Sequence, residues 1–193
     1  MDSKLIFAII STALAIVCFF PYIRDILAKK TTPHIYSWLV WSILQSAGVV
    51  AMIIGGAQFG ALGLAVGALF CISIFILSFK FGTKNITKFD TICLLGAIIA
   101  IVIWLIQDDP TLSVILITLI DFVAFLPTYR KGYLEPNSET ISTYLLSSFS
   151  NAFALLAMAN YSLVTSFYVS SLVLTNGVIV IILITRRRVV RMV

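Results

Sequence analysis

The stretch FFPYIRDILAKKTTPHIYSWLVWS, residues 19–42, is written twice in this chain, the second time as FLPTYRKGYLEPNSETISTYLLSS, residues 125–148. Each version runs aromatic–apolar–Pro, then Arg three residues after the proline, then a polar turn, then an apolar run. The offset is 106 residues and needs no gap. Pro21 meets Pro127, Arg24 meets Arg130, and Ile35, Leu39 and Ser42 meet Ile141, Leu145 and Ser148. Outward from this core the register holds: Ile9, Thr12 and Val17 meet Ile115, Thr118 and Val123, Ala51-Met52 meets Ala157-Met158, and Lys80 meets Arg186. Apolar bias alone does not place a proline and an arginine at one constant offset, so the chain carries an internal repeat.

The repeat sits in a chain that is 61% hydrophobic and 11% charged, with mean hydropathy +1.10. Such a composition leaves too little polar surface to cover a water-soluble domain and points to a polytopic membrane protein. A helix needs roughly 20 apolar residues to cross a bilayer. Seven stretches qualify, at about 4–28, 34–54, 58–80, 89–107, 111–132, 140–160 and 163–186. With no water to satisfy the backbone, these runs are expected as helices. Ala13-Leu14-Ala15 has the look of a cleavage site, but the apolar run continues through Phe20, so the first run reads as a retained helix. Cys18, Cys71 and Cys93 all fall in apolar runs and read as small core residues rather than disulfides or metal ligands.

Charge orients the spans. Arg24, Lys29 and Lys30, then Lys80, Lys84 and Lys88, then Arg130 and Lys131, then Arg186, Arg187, Arg188 and Arg191 follow spans one, three, five and seven, leaving only Lys4 of the 13 basic residues for the other side. The positive-inside rule then puts the N-terminus outside and the C-terminus in the cytoplasm, with the basic face toward anionic lipid headgroups.

Three is an odd number of spans, so two directly joined copies would point opposite ways. A spare fourth helix restores parallel orientation. The expected fold is all-α, seven transmembrane helices in a 3+1+3 arrangement: residues 1–82 form the first three-helix repeat, 83–109 the linker with helix 4, and 110–193 the second repeat with its basic tail. Transporters with such parallel repeats hold their substrate between them near the midplane. The plan, with a proline late in helices 1 and 5 followed by the turns KKTTPHIYS and RKGYLEPNSETIS, resembles the SWEET/MtN3 and PQ-loop superfamily over essentially the whole chain. Tyr22 and Thr128 stand where the PQ-loop has glutamine. The resemblance implies that the two prolines let the cytoplasmic helix ends bend. It also implies that Asn176 is a pocket asparagine, although Phe70 replaces its expected mate on helix 3.

Several residues carry candidate chemistry. Asp121 is an acid ten residues into helix 5, where a mid-membrane carboxylate costs roughly 2.5–3.5 kcal/mol. It can serve a proton, an ammonium or a hydroxyl, or it can be a packing hydrogen bond; Thr118 is one turn away, and its repeat mate is Ala15. Trp38, Ser42 and Gln45 form an aromatic–hydroxyl–amide column on helix 2, repeated as Tyr144, Ser148 and Asn151 on helix 6. Each column offers a stacking face with donors and acceptors for a solute. The alternatives are interhelical bonding for the polar residues and interfacial anchoring for Trp38 and Tyr144. Pro21 and Pro127 remove helix hydrogen bonds and are matched hinge candidates. Arg24 and Arg130 are gate candidates, or snorkel to the interface. His34 reads as a solvated loop histidine, Thr32-Pro33 as the start of helix 2, and Gly56, Gly60, Gly63 and Gly67 as close helix packing.

The expected function is a transporter or facilitator of a small polar solute, neutral, zwitterionic or cationic, such as a sugar or an amino-acid-like molecule, working by alternating access. The alternative is a ligand-binding receptor or adaptor on the same scaffold. No cofactor, metal or nucleic acid is expected, and no nucleophile–base or metal-ligand cluster supports an enzyme. Homo-oligomerisation is left open.

Overall fold

The computed structural model describes residues 3–54, 62–106, 108–158 and 161–191. It is all-helical, with no strand among the described residues. The helices are α1 (Ser3–Val17), α2 (Phe19–Leu27), α3 (Ile35–Ile54), α4 (Leu62–Phe81), α5 (Lys88–Ile106), α6 (Pro110–Leu134), α7 (Ile141–Ala157) and α8 (Leu163–Arg191). The first two form one apolar line broken at Cys18, so the described residues hold seven helical segments where seven apolar runs were read. Four stretches are long and apolar enough to cross a membrane: Ser3–Leu27, Lys88–Ile106, Thr111–Leu134 and Ser166–Val190.

The two prolines behave differently. Pro21 cannot bond the carbonyl of Val17, and α1 ends at that residue. Pro127 lies inside α6, which stays continuous. There the weakened turn is supported from α3: Ser37 Oγ donates to the Ala124 carbonyl at 2.6 Å, and Thr128 Oγ1 donates to Ser37 Oγ at 2.9 Å. A side chain from a neighbouring helix thus supports the backbone beside the proline, as apolar surroundings require.

Packing places α4 between α1–α2 and α3, and α8 between α6 and α7. α1 also packs along α7, α3 along α6, and α5 covers α6 and α3. Gly132 permits the α6–α8 approach, because a Cβ there would meet Ile179 Cδ1 at 2.9 Å. Gly67 leaves room for the Gln45 side chain, 3.3 Å from where its Cβ would sit; Gly56 and Gly60 lie outside the described residues. The outward surface is apolar: Ile92, Ile99, Leu105 and Ile106 on α5, Leu174 and Ile181 on α8, and Ile76 and Phe79 on α4 are all more than 60% exposed.

The polar residues are instead gathered inside one end of the bundle. Loop 28–34 leaves α2 through Lys29 in the left-handed region (φ 58°), the helix end being closed by bonds from Ala28 and Lys29 N–H to Arg24 and Ile26. α3 starts at Ile35, so Pro33 stands two residues ahead of it rather than at its first position. Backbone bonds tie the loops together: Thr32 N–H to the Ser138 carbonyl (3.0 Å) and Thr83 N–H to the Pro33 carbonyl (3.1 Å). Asn85 Nδ2 reaches Glu135, and Arg187 Nε donates to the Pro136 carbonyl. The segments after α2, α4, α6 and near the end of α8 therefore share one end.

Two buried ionic clusters hold that end. In the first, Glu139 and Lys131, both fully buried, pair at 2.6 Å. Lys131 Nζ also donates to the carbonyls of Thr32 and Ser138, and Tyr22 and Tyr144 hydroxyls each donate to Glu139 Oε2 at 2.9 Å. In the second, Asp90 accepts two bonds from Arg130 (2.9 and 2.7 Å) and caps its own helix. Thr87 N–H donates to Asp90 Oδ2 at 2.7 Å while Asp90 N–H donates to Thr87 Oγ1, a reciprocal capping box. His34 is a correction to the solvated reading. It is wholly buried, its Nε2 stands 3.5 Å from Asp90 Oδ2, and neither ring nitrogen has a hydrogen bond. Burial first, then the Lys131 and Arg130 charges, against the pull of Asp90, lower its pKa from 6.5 to about 4.

Two outcomes follow from these clusters. His34 is neutral in the fold and free to protonate when unfolded. Its contribution is therefore complete above pH 6.5 and lost as pH falls from 6.5 to about 4. That difference amounts to about 3 kcal/mol. Thermal unfolding in detergent across this range should show a steeper acid loss in the wild type than in His34→Gln; parallel profiles would refute it. Glu139→Gln should leave Lys131 buried without its counter-charge and destabilise by roughly 3–5 kcal/mol, with most of the loss recovered in the double variant Glu139→Gln/Lys131→Met. A single variant as stable as the wild type would contradict the pairing.

Candidate solute-binding site

A cavity of about 420 Å³ lies among α1, α3, α4, α5, α6, α7 and α8. Its lining pairs positions 106 residues apart: Ala15 with Asp121, Phe19 with Phe125, Trp38 with Tyr144, Trp41 with Ser147, Leu44 with Ser150, and Gln45 with Asn151. Cys18, Gly67, Cys71, Trp104, Ile117, Thr143, Tyr168, Leu172 and Asn176 complete the wall. All three tryptophans of the chain, Trp38, Trp41 and Trp104, face this space.

Of the nine residues expected to bind, six line the cavity: Asp121, Asn176, Asn151, Gln45, Trp38 and Tyr144. The three hydroxyls do not. Ser42 Oγ donates to the Trp38 carbonyl, Thr118 Oγ1 to the Val114 carbonyl and Ser148 Oγ to the Val173 carbonyl, at 2.7, 2.7 and 3.0 Å. In an apolar helix a hydroxyl without water finds a nearby backbone carbonyl, and that preference wins here. The interfacial alternative for Trp38 and Tyr144 also falls: each is 3% exposed.

Asp121 is 3% exposed, and its Oδ2 is buried without a hydrogen-bond partner. Gln45 Oε1 and Thr143 Oγ1 are likewise buried and unpartnered. The amides of Asn151 and Asn176 each donate to a carbonyl one turn back, Ser147 (2.8 Å) and Leu172 (2.9 Å). Each amide keeps its oxygen and a second N–H outside that bond.

Toward the loop end the cavity has an aromatic floor. Trp38 Nε1 donates to Tyr22 OH at 3.2 Å, the Tyr22 and Trp38 rings lie 4.9 Å apart, and Tyr22 meets Tyr144 edge-on at 6.2 Å. Beneath them stands Glu139, which also lines a second, polar pocket of about 350 Å³ with Asp25, Lys30, Thr31, Thr140 and Arg187. The Tyr144–Glu139 bond is therefore part of the wall between the two spaces. Tyr22, Glu139, Trp41, Trp104 and Tyr168 are participants that the sequence reading missed. Trp41 had a signal, one turn from Trp38 on the same helix.

The gate and hinge candidates divide. Arg24 is 73% exposed in its side chain and pairs with its neighbour Asp25 at 2.8 Å, away from the floor. Arg130 is held by Asp90 and Asn85 and joins loop 82–87 to α6. Neither touches the cavity. Phe70, the repeat mate of Asn176, stacks on Phe19 at 4.9 Å. The chain matches no family model, no curated protein and no solved structure.

Proposed function

We propose that the chain spans a membrane seven times as two parallel three-helix units, α1–α4 and α6–α8, joined by α5, and that it moves a small polar solute between the units by alternating access. The immersion is supported by the belt of exposed Ile, Leu and Phe on α4, α5 and α8, a surface unsuited to water, around an interior holding Asp90, Glu139, Lys131, His34 and Asp121. The basic loop end is then the cytoplasmic face, with the N-terminus outside.

The observation that carries the reading is the cavity itself, walled by six pairs of positions at the repeat offset. The packing supports it independently. Exchanging α1, α3 and α4 for α6, α7 and α8 maps the neighbours onto each other: the third helix of each unit lies between the other two, and α1 against α7 becomes α6 against α3. This is the 3+1+3 plan of the SWEET/MtN3 and PQ-loop resemblance. The Tyr22–Trp38–Tyr144 floor over Glu139 is the closed gate of the cytoplasmic side. The α1–α2 break at Cys18, three residues before Pro21, is the hinge beside it. Pro127, supported by Ser37, is the stiffer member of the pair.

A receptor on the same scaffold would keep the cavity but expose it to one side only. Cys18 and Cys71 face the cavity, which makes the distinction measurable. In sealed proteoliposomes of the variant Cys18→Ser/Cys93→Ser, an impermeant thiol reagent should reach Cys71 from the N-terminal side at rest and from the cytoplasmic side as well on longer exposure. Labelling from one side alone would favour the receptor. No labelling from either side would remove the solute cavity.

A further inference from the structure

We infer that the cavity is a site for an organic ammonium ion carrying an apolar, aromatic-compatible body and no carboxylate. The inference rests on the solute-site reading above and names its ligand class. Several donors of the cavity wall are already engaged. The N–H of Trp38 and the O–H of Tyr144 are engaged below the floor, and Asn151 and Asn176 each donate to their own helix. The buried cavity atoms left without partners are Asp121 Oδ2, Gln45 Oε1 and the hydroxyl Thr143 Oγ1. An N–H donor arriving there satisfies Asp121 and Gln45 and can serve the Thr143 hydroxyl as well.

Charge points the same way. Asp121 is a buried carboxyl with no cationic side chain beside it: among the described residues no Lys, Arg or His lines the cavity. A buried carboxyl ionises most readily beside a ligand that brings a counter-charge and N–H donors together. A zwitterionic amino acid would bring a carboxylate with nothing to pair it, and a sugar would bring hydroxyls without neutralising Asp121. The aromatic walls complete the fit, since indole and phenol faces attract an ammonium group and cover its hydrocarbon.

Purified full-length protein can be titrated with 2-phenylethylammonium, with its neutral isostere 2-phenylethanol, and with phenylalanine, reading fluorescence from the three cavity tryptophans. The ammonium should quench saturably at least about tenfold more tightly than the alcohol or the amino acid. Asp121→Glu should keep the preference, and Asp121→Asn should bring the three ligands within about threefold. If Asp121→Asn fails to fold, the wild-type comparison with Asp121→Glu decides alone. Equal binding of the alcohol or of phenylalanine, no saturable quenching by any of the three, or an unchanged preference in Asp121→Asn would overturn the inference. Ammonium binding without flux in proteoliposomes would leave it standing and turn the function to a receptor. Flux of a sugar or amino acid without ammonium preference would sink it and leave the carrier.

Discussion

The carboxylate of Glu139 is the group on which the closed end of this molecule depends. One buried side chain accepts from Tyr22 of the first unit and Tyr144 of the second, and pairs with Lys131 of α6, while its backbone carbonyl accepts from Arg187 of α8. Residues of α2, α6, α7 and α8 thus converge on one residue. Such a pair resists partial change, because removing either charge strands the other in a place where water cannot compensate. On the proposed carrier reading it has two arrangements rather than a continuum. Either both tyrosines bond the same oxygen and the units meet, or both bonds are broken and the polar pocket beneath joins the cavity above. A bistable contact of that kind is what an alternating gate needs.

The repeat provides a symmetric frame, and the chemistry lies where the symmetry fails. Asp121 faces Ala15, Asn176 corresponds to Phe70, and Pro21 ends a helix while Pro127 is supported within one. The two arginines after the prolines have parted as well, Arg24 to the surface and Arg130 to Asp90. A symmetric pair of units needs only similar packing to enclose a space. Binding one oriented solute requires that the two walls differ, and here one wall carries the carboxylate.

Helix positions were legible because a long apolar run in this composition has few alternatives. The runs read at 34–54 and 163–186 are the helices Ile35–Ile54 and Leu163–Arg191. Asp121 was legible as an inward residue for an energetic reason, since a mid-span carboxyl has no favourable outward placement. Ser42, Thr118 and Ser148 lie off the cavity because a hydroxyl bonds a nearby carbonyl unless water competes, and spacing on a helix face does not reveal that. Glu139, Lys131, Asp90 and His34 were not legible as clusters. Each lies in or beside a turn of unremarkable composition, and its partner is fixed only when the loops are brought to one end. His34 looked solvated because a turn histidine usually is. The fold buries it under the Arg130–Asp90 bridge instead.

All of this requires that the polar-loop end and the turn before α6 lie on opposite faces of a membrane. Single cysteines at Lys84 and at Asp109, in a chain otherwise free of cysteine, can be labelled in sealed, oriented vesicles with an impermeant reagent. The account predicts that Lys84→Cys reacts only from the side that bears the C-terminus and Asp109→Cys only from the opposite side. Reaction of both from the same side would contradict the seven-pass arrangement, and with it the two parallel units and the gate between them.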